Sequence, residues 1–146
     1  MRAVATLDAD RYAGRWYEVA RFPVIFQRGC TATTAGYAVR PDGGLDVVNA
    51  CRVDSPDGPL RRIAGTAQPV GPGQFAVRLG RVPFAGPYWV LWVDEGYETA
   101  VVGVPSGRAG WVLARTPAIG PERMAAARAA LVAAGYDPDR LILTEH

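Results

Sequence analysis

The sequence is nearly devoid of histidine: His146 is the single one, and it is the final residue. Catalysis by a Ser/His/Asp or Cys/His group requires a histidine base, and zinc or haem sites need histidine or several cysteine ligands. The chain has two cysteines, Cys30 and Cys51. It also lacks the glycine-rich loop between a strand and a helix that phosphate and dinucleotide sites use. We therefore expect no enzyme activity, no catalytic residues, no metal site and no cofactor.

Long apolar runs and an excess of one charge are missing as well. No segment is apolar over the length that crosses a bilayer, which excludes an integral helical membrane protein. The net charge is +2 and the arginines are spread along the chain, so we expect no nucleic-acid partner. Lysine is absent, which we attribute to coding bias. The 146 residues, 49% of them hydrophobic, fit a single domain over 1–146.

Most of the chain alternates between apolar and polar residues and is interrupted by Gly, Pro and Asp, which predicts an all-β fold. Strands in simple succession favour an eight-stranded antiparallel up-and-down barrel. Tight turns at 41–44, 71–73 and 94–97 fall at one end, so we expect that end to be closed and the other, with longer loops, to be open. The predicted strands cover residues 15–22, 31–40, 45–53, 61–69, 74–80, 88–94, 98–104 and 111–116.

A helical pattern follows the eighth predicted strand. Pro121 suits the first helical position and Gly135 suits the stop. The apolar side chains form a narrow stripe, which predicts a helix packed on the outside of the barrel. That stripe is made by Met124, Ala127 and Leu131. Residues 141–143 then predict a short ninth strand.

A tryptophan and an arginine at opposite ends of the chain predict how the closed end is sealed. Trp16 stands at the start of the first predicted strand, and Arg115 at the end of the eighth. A guanidinium stacks on an indole while its N–H groups bond nearby carbonyl oxygens. We therefore expect Trp16 and Arg115 to close the barrel, the alternative for Trp16 being an ordinary half-buried strand residue.

The segments 10–22, 88–94, 97–105 and 111–117 resemble the lipocalin family, in the branch of bacterial outer-membrane lipoproteins and apolipoprotein D. The resemblance spans nearly the whole chain, including the helix and the ninth strand. In that family a Thr-Asp-Tyr triplet usually marks the turn between strands six and seven, whereas this chain has Val-Asp-Glu at 93–95 and Tyr97 two residues later. The resemblance implies transport or storage of a small hydrophobic ligand, typically a fatty acid or a lysophospholipid.

Alternation along strands one, five, six and eight predicts which side chains line the ligand cavity, and the loop after strand five adds a residue at its rim. The predicted ligand-binding residues are Glu18, Ala20, Phe22, Phe75, Val77, Leu79, Phe84, Tyr88, Val90, Trp92, Trp111 and Leu113. On strand six the opposite face, with Trp89, Leu91 and Val93, is equally apolar. Small residues on strands two and four are expected to leave space in the interior, and they are Ala32, Thr34, Ala35, Gly36, Ala64, Gly65 and Ala67.

Glu18 is the most unusual residue of the predicted inward face. A carboxylate among apolar side chains is costly unless it has a partner, so Glu18 marks either a ligand contact or a structural contact. We hypothesise that Glu18 and Tyr88 form a polar spot in the cavity. Arg28, Arg81 or Arg108 at the open end is expected to meet an anionic head group, although each of them taken singly is better explained as a solvated loop charge.

Cys30 and Cys51 fall toward the open end of neighbouring strands. In a regular hairpin Cys30 faces residue 55, so a disulfide requires a bulge or a shifted strand start. We favour a Cys30–Cys51 disulfide over two free buried thiols. The disulfide and the resemblance favour the periplasm or outer membrane if a leader has been removed, whereas the leaderless residues 1–10 favour the cytoplasm.

The expected partner is a small hydrophobic ligand, a lipid. Apolar residues in two open-end loops support an alternative function, a protein- or membrane-docking module with a filled barrel. These residues are Pro23, Val24, Ile25, Phe26, Val82, Pro83 and Phe84. Peripheral membrane association and either a monomer or a homodimer are compatible with the sequence.

Overall fold

All the predicted strands form, with bounds that differ by at most two residues. A computed structural model describes residues 1–23 and 29–146. Its strands are β1 (Gly14–Arg21), β2 (Cys30–Val39), β3 (Leu45–Val53), β4 (Leu60–Gly71), β5 (Gln74–Leu79), β6 (Gly86–Val93), β7 (Thr99–Gly103), β8 (Gly110–Ala114) and β9 (Ile142–Leu143). Helix α1 (Ala9–Tyr12) precedes them, helix α2 (Pro121–Ala133) follows β8, and a 3₁₀ turn at Pro138–Arg140 leads to β9.

The strands close into a barrel. Each strand from β1 to β8 pairs antiparallel with its neighbours in the chain, and β1 pairs with both β2 and β8. Closure leaves no exposed sheet edge between these strands. The predicted eight-stranded up-and-down barrel, with one external helix and a short ninth strand, is confirmed.

The C-terminal segment completes the seam between β1 and β2. These strands pair directly along Gly14–Tyr17 of β1. Toward the open end β9 pairs with β1 instead, and the backbone N–H of Thr144 donates to the Val19 carbonyl at 2.9 Å. The backbone N–H of Ala32 on β2 donates to the Glu145 carbonyl at 2.6 Å. The last residues of the chain therefore fill the gap where β1 and β2 separate.

Helix α1 plugs the closed end. It is a single turn whose first N–H groups are capped by the Asp8 carboxylate, which accepts from the Arg11 N–H at 3.2 Å. Tyr12 and Trp16 are fully buried, and the Trp16 indole N–H donates to the Tyr12 carbonyl at 2.8 Å. Leu7 and Val4 pack against the same core from the N-terminal segment. The barrel is thus sealed by residues that precede its first strand.

Arg115 covers this plug from outside. Its guanidinium carbon lies 3.7 Å from the centre of the Trp16 ring. Its N–H groups donate to four backbone carbonyls, those of Tyr97 (3.0 Å), Arg15 (3.0 Å), Arg11 (2.7 Å) and Tyr12 (3.4 Å). The two residues that the sequence assigns to barrel closure therefore lie in contact, and Arg115 also ties the turn before β7 to the N-terminal plug.

The turn between β6 and β7 closes without a Thr-Asp-Tyr triplet. The Asp94 carboxylate accepts from the backbone N–H groups of Glu98 (2.6 Å) and Thr99 (3.0 Å). Tyr97 adopts a positive φ of 56°, and the Arg11 guanidinium lies 4.3 Å from the centre of its ring. Asp94 supplies the turn chemistry by itself, so the substitutions around it leave the barrel intact.

Helix α2 packs on the outside of the barrel, as predicted. Ala127 and Leu131 are fully buried, in one cluster with Val101 and Val112 of β7 and β8. The chain leaves the helix at Gly135, whose φ of +94° is one that residues with a side chain rarely adopt. One face of β6, β7 and β8 is thereby covered by the helix.

Candidate ligand-binding site

Two β-bulges decide which side chains face the interior. On β1 the register shifts between Glu18 and Ala20 against β8, and on β6 it shifts between Val90 and Trp92 against β7. A bulge adds one residue to a strand, so every side chain beyond it changes face. Both bulges lie in strands that border the cluster beneath α2.

The inward orientation predicted for Ala20, Phe22 and Trp92 is wrong because of these bulges. All three belong to the apolar cluster beneath α2, where Phe22 stacks on Tyr136 with ring centroids 4.9 Å apart. On β1 the inward position passes to Arg21, which pairs with Trp111 of β8. Side-by-side apolar residues such as 19–20 and 91–92 interrupt the alternation, and they were the available sign of a bulge.

The half of the interior next to the closed end is filled by side chains. Three predicted ligand contacts, Phe75, Val90 and Leu113, lie in this layer and are 6%, 0% and 6% exposed. Their buried neighbours are Tyr12, Trp16, Ala35, Tyr37, Leu45, Val47, Ala67, Ala100 and Val102. A ligand has no room in this half without repacking of the core.

Three tyrosines are joined inside the filled half. The Tyr88 hydroxyl is hydrogen bonded to the Tyr37 hydroxyl at 2.8 Å and to the Tyr12 hydroxyl. Burial raises the pKa of Tyr37 to about 12, and it raises the pKa values of Tyr12 and Tyr88 well above the ordinary tyrosine value. The three hydroxyls are therefore neutral at physiological pH and satisfy one another in an apolar core.

The half next to the open end is accessible. Val77, Leu79 and Trp111 pack against the filled half but are only partly buried. Ile63 of β4 shares the inward face with buried Ala67, four residues along the strand, yet it is 41% exposed. Solvent therefore reaches the inner wall from this side, and an apolar chain has surface to cover.

Phe84 stands at the rim of the open half. It lies in the loop between β5 and β6 and is 70% exposed, and Val82 in the same loop is 43% exposed. The structure thus brings Leu79, Trp111 and Phe84 to the accessible end of the barrel and assigns Phe75, Val90 and Leu113 to the filled end.

Glu18 is buried, with 2% of its surface exposed, and two of its partners lie at the seam. The Thr144 hydroxyl donates to its carboxylate at 2.6 Å, and an Arg21 N–H donates to the same oxygen at 3.4 Å. The hypothesised polar spot of Glu18 with Tyr88 is not found among the described contacts, because the Tyr88 hydroxyl bonds to two other tyrosines. Glu18 is one of the residues that hold the C-terminal segment in place.

Cys30 and Cys51 form a disulfide, as favoured from the sequence. The register of β2 against β3 shifts between Thr31 and Thr34, and Ala32 within the shift has a φ of 48°. The bulge brings Cys30 opposite Val53, and the disulfide joins Cys30 to Cys51, on the same face of β3 as Val53. Cys51 shares the inward face of β3 with buried Val47, so the disulfide lies on the inner wall near the open end.

The small residues of β2 and β3 do not all enlarge the interior. Thr34, Gly36 and Ala50 line an open groove of about 500 Å³ on the outer surface of the sheet. Ala64 pairs with Val48, another residue of this groove, and therefore also faces outward. The expectation of space inside is wrong for Thr34, Gly36 and Ala64, because the register directs them away from the core. Ala35 and Ala67 of the same set do lie in the interior cluster. A second cavity of about 270 Å³ lies at the seam and is lined by Arg21, Cys30 and Thr144 among others.

Several predicted open-end residues contribute no described contact to the interior. Val24, Ile25, Phe26 and Arg28 lie outside the described residues. Arg81 and Arg108 are exposed. Over 1–23 and 29–146, no three His, Cys, Asp or Glu side chains are grouped so that they could hold a metal ion. No helix in this part of the chain is long and apolar enough to cross a membrane.

Comparison with known proteins identifies a matching family and similar sequences. A family model described as a lipocalin-like domain matches residues 7–146. Outer membrane lipoprotein Blc of Escherichia coli (strain K12) is 38% identical over 142 residues, which cover 95% of this chain and 79% of that protein. Temperature-induced lipocalin-1 of Arabidopsis thaliana is 34% identical and apolipoprotein D of Bos taurus is 28% identical, with 97% and 94% of this chain and 80% and 76% of those proteins covered.

Solved structures share the fold at lower identity. Insecticyanin from the tobacco hornworm Manduca sexta superposes with a TM-score of 0.79 at 17% identity, covering 100% of this chain and 84% of that one. Lobster apocrustacyanin A1 gives a TM-score of 0.75 at 18% identity, covering 94% of this chain and 78% of that one. At these identities the likeness concerns the barrel and its external helix.

Proposed function

The chain belongs to the lipocalin family, whose members bind small hydrophobic ligands, and we propose that it carries or stores a single-chain lipid in the open half of its barrel. The observation that carries the proposal is the unequal filling of the interior. Trp16, Leu45 and Val90 are at most 1% exposed in the filled half, whereas Ile63 is 41% exposed on the inner wall of the open half. A barrel packed solid throughout would leave no such surface.

A fatty acid or a lysophospholipid is the class of ligand that we propose. The inner wall of the open half is apolar at Ile63, Leu79 and Trp111, which suits an acyl chain. The same half carries charged groups close to the solvent, among them Arg21, which suits a polar head.

Native mass spectrometry of the protein as purified, followed by extraction and identification of any bound molecule, tests the proposal. We expect a co-purifying fatty acid or phospholipid, or uptake of added dodecanoate with 1:1 stoichiometry. A protein that is free of lipid and fails to take up added fatty acid would contradict it.

A pair of tryptophan variants locates the ligand. Leu79→Trp places a large ring in the open half, opposite Gly65 on the neighbouring strand, and should abolish uptake. Arg78→Trp adds the same ring at the adjacent exposed position and should leave uptake unchanged. Thermal unfolding of both variants shows whether the barrel is intact, and equal uptake by the two would contradict the location.

A docking module is the second candidate function, and it is favoured by the exposed Phe84 and Val82 at the rim. Loss of vesicle or partner binding in Phe84→Ser with lipid uptake intact would support it.

A periplasmic or outer-membrane location belongs to our main proposal, supported by the disulfide and by the name of the bacterial relative. Fractionation of cells that express the natural gene tests that location.

A further inference from the structure

Two guanidinium groups from different strands meet at Cys30. An N–H of Arg21, on β1, donates to the Cys30 carbonyl at 3.3 Å. An N–H of Arg61, on β4, donates to the Cys30 sulfur at 2.7 Å. The disulfide to Cys51 fixes Cys30 on the inner wall, so the two side chains are held near one point of the open end. We refer to Arg21 and Arg61 as the Cys30 arginine pair.

Strand register places both members on the inward face. Arg21 pairs with Trp111, which packs on the interior core, because the β1 bulge reverses the alternation after Glu18. Arg61 pairs with Cys51, and it stands six residues before Ala67, which is 2% exposed in the core. Since alternate residues of a regular strand share a face, Arg61 faces the interior with Ala67.

The pair carries more positive charge than its described surroundings neutralise. The Glu18 carboxylate lies 3.4 Å from the Arg21 guanidinium and forms an ion pair with it. Among the residues that the structure describes, no carboxylate oxygen lies within 4.0 Å of Arg61. Asp54 and Glu145 line the neighbouring seam cavity but form no ion pair with either arginine within the same part of the chain. Within residues 1–23 and 29–146, Arg61 is thus a cation at the accessible end without an ion-pair partner.

We infer that the Cys30 arginine pair binds the anionic head group, carboxylate or phosphate, of the lipid whose chain occupies the open half. This inference rests on the proposed lipid-binding function and names the group that the lipid must carry. Guanidinium groups bind carboxylate and phosphate through paired N–H donors, and partial removal from water strengthens such bonds. The apolar side chains of Ile63, Leu79 and Trp111 lie on the same inner wall and receive the chain below the head group.

Binding of four amphiphiles with the same twelve-carbon chain tests the inference. Dodecanoate and dodecyl phosphate carry the two anionic heads, dodecanol is neutral and dodecyltrimethylammonium is cationic. We expect the wild-type protein to bind both anions at least about tenfold more tightly than dodecanol, and the cation weakest, in isothermal titration calorimetry. The stronger of the two anions indicates whether a fatty acid or a phosphate-bearing lipid is the better match.

Arg61→Gln should lower the affinity for dodecanoate and dodecyl phosphate about tenfold and leave that for dodecanol unchanged. Arg62→Gln is the matched control, because Arg62 is the next residue of β4 and lines the outer groove. Arg21→Gln should lower the affinity for the two anions in the same way as Arg61→Gln. If loss of Arg21 unfolds the protein, Arg61→Gln still tests the inference, because Arg61 is exposed.

The outcomes separate the inference from the function on which it rests. Anions and dodecanol bound equally well by the wild type, or anions bound equally by Arg61→Gln and Arg62→Gln, would overturn the head-group assignment while lipid binding stands. If the wild type binds none of the four amphiphiles, the proposed function fails together with the inference.

Discussion

The Thr144 hydroxyl donates a 2.6 Å hydrogen bond to the Glu18 carboxylate, across 126 positions of the chain. It joins the last strand to the first at a buried acid. A buried carboxylate that loses a donor bears the cost of desolvation without compensation. The C-terminal segment is therefore part of the barrel wall, and its attachment can be measured through this one bond.

Thr144→Val removes the donor and keeps the shape of the side chain. We expect the free energy of unfolding to fall by about 1–3 kcal/mol, measured by urea denaturation. Thr6→Val at an exposed position is the control and should change stability by less than about 0.5 kcal/mol. Equal stability of the two variants would show that Thr144 contributes nothing to the buried acid.

Arg115→Lys tests the cover of the closed end. Lysine keeps the charge but loses the planar group that lies 3.7 Å from the Trp16 ring and donates to four carbonyls. The expected loss is about 1–3 kcal/mol of unfolding free energy. Arg123→Lys, at an exposed position of α2, should be neutral. If Arg115→Lys leaves the unfolding free energy unchanged, the positive charge alone is enough to stabilise the closed end.

Reduction of the Cys30–Cys51 disulfide should destabilise the protein by about 3 kcal/mol, because the bond closes a loop between residues 21 positions apart. Urea denaturation with and without reductant measures the loss. A Cys30→Ser, Cys51→Ser double variant should have the same unfolding free energy as the reduced protein, and the reductant should not change it. Two free thiols counted in the denatured wild type, without reductant, would contradict the bond.

Phe22→Ala and Leu79→Ala should separate stability from binding. Phe22 packs beneath α2, so its truncation should cost about 3–5 kcal/mol without changing the dodecanoate affinity of the folded protein. Leu79 is half-buried at the open half, so its truncation should weaken dodecanoate binding several-fold at a smaller cost in stability. Phe22→Leu serves if the alanine variant is too unstable. If Phe22→Leu lowers the dodecanoate affinity several-fold, Phe22 contacts the ligand and its side chain points into the barrel after all.

Stability should fall as the pH rises from 10 toward 12. The pKa of Tyr37 is raised by burial from 10.0 to about 12, so the folded protein keeps a proton that the unfolded chain loses in this range. The contribution is complete below pH 10 and disappears as the folded value is approached. Urea denaturation between pH 8 and 12 should show a shallower decline for Tyr37→Phe than for the control Tyr17→Phe. Identical slopes would contradict the raised pKa.

The sequence pattern was sufficient to predict the bounds of the strands and the two residues that close the barrel, because both depend on short stretches of sequence. The closing roles of Trp16 and Arg115 and the end of α2 at Gly135 could be predicted from the sequence for the same reason. Each position needs a residue type that suits one local geometry. The residues of the inner wall could be predicted only in part. Leu79 and Trp111 reach the open half as expected, whereas Ala20, Phe22 and Trp92 face the helix.

The sequence by itself determined that this chain folds as a closed eight-stranded barrel with an external helix, since period-two alternation, turn residues and caps act over a few residues each. The tertiary structure decided how the barrel is filled and where its charges lie. A bulge forms according to what the neighbouring strand and the helix above it require, so the inward position of Arg21 depends on contacts with β8 that no local pattern encodes. The approach of Arg61 to Cys30 likewise depends on the register of β2, β3 and β4 together.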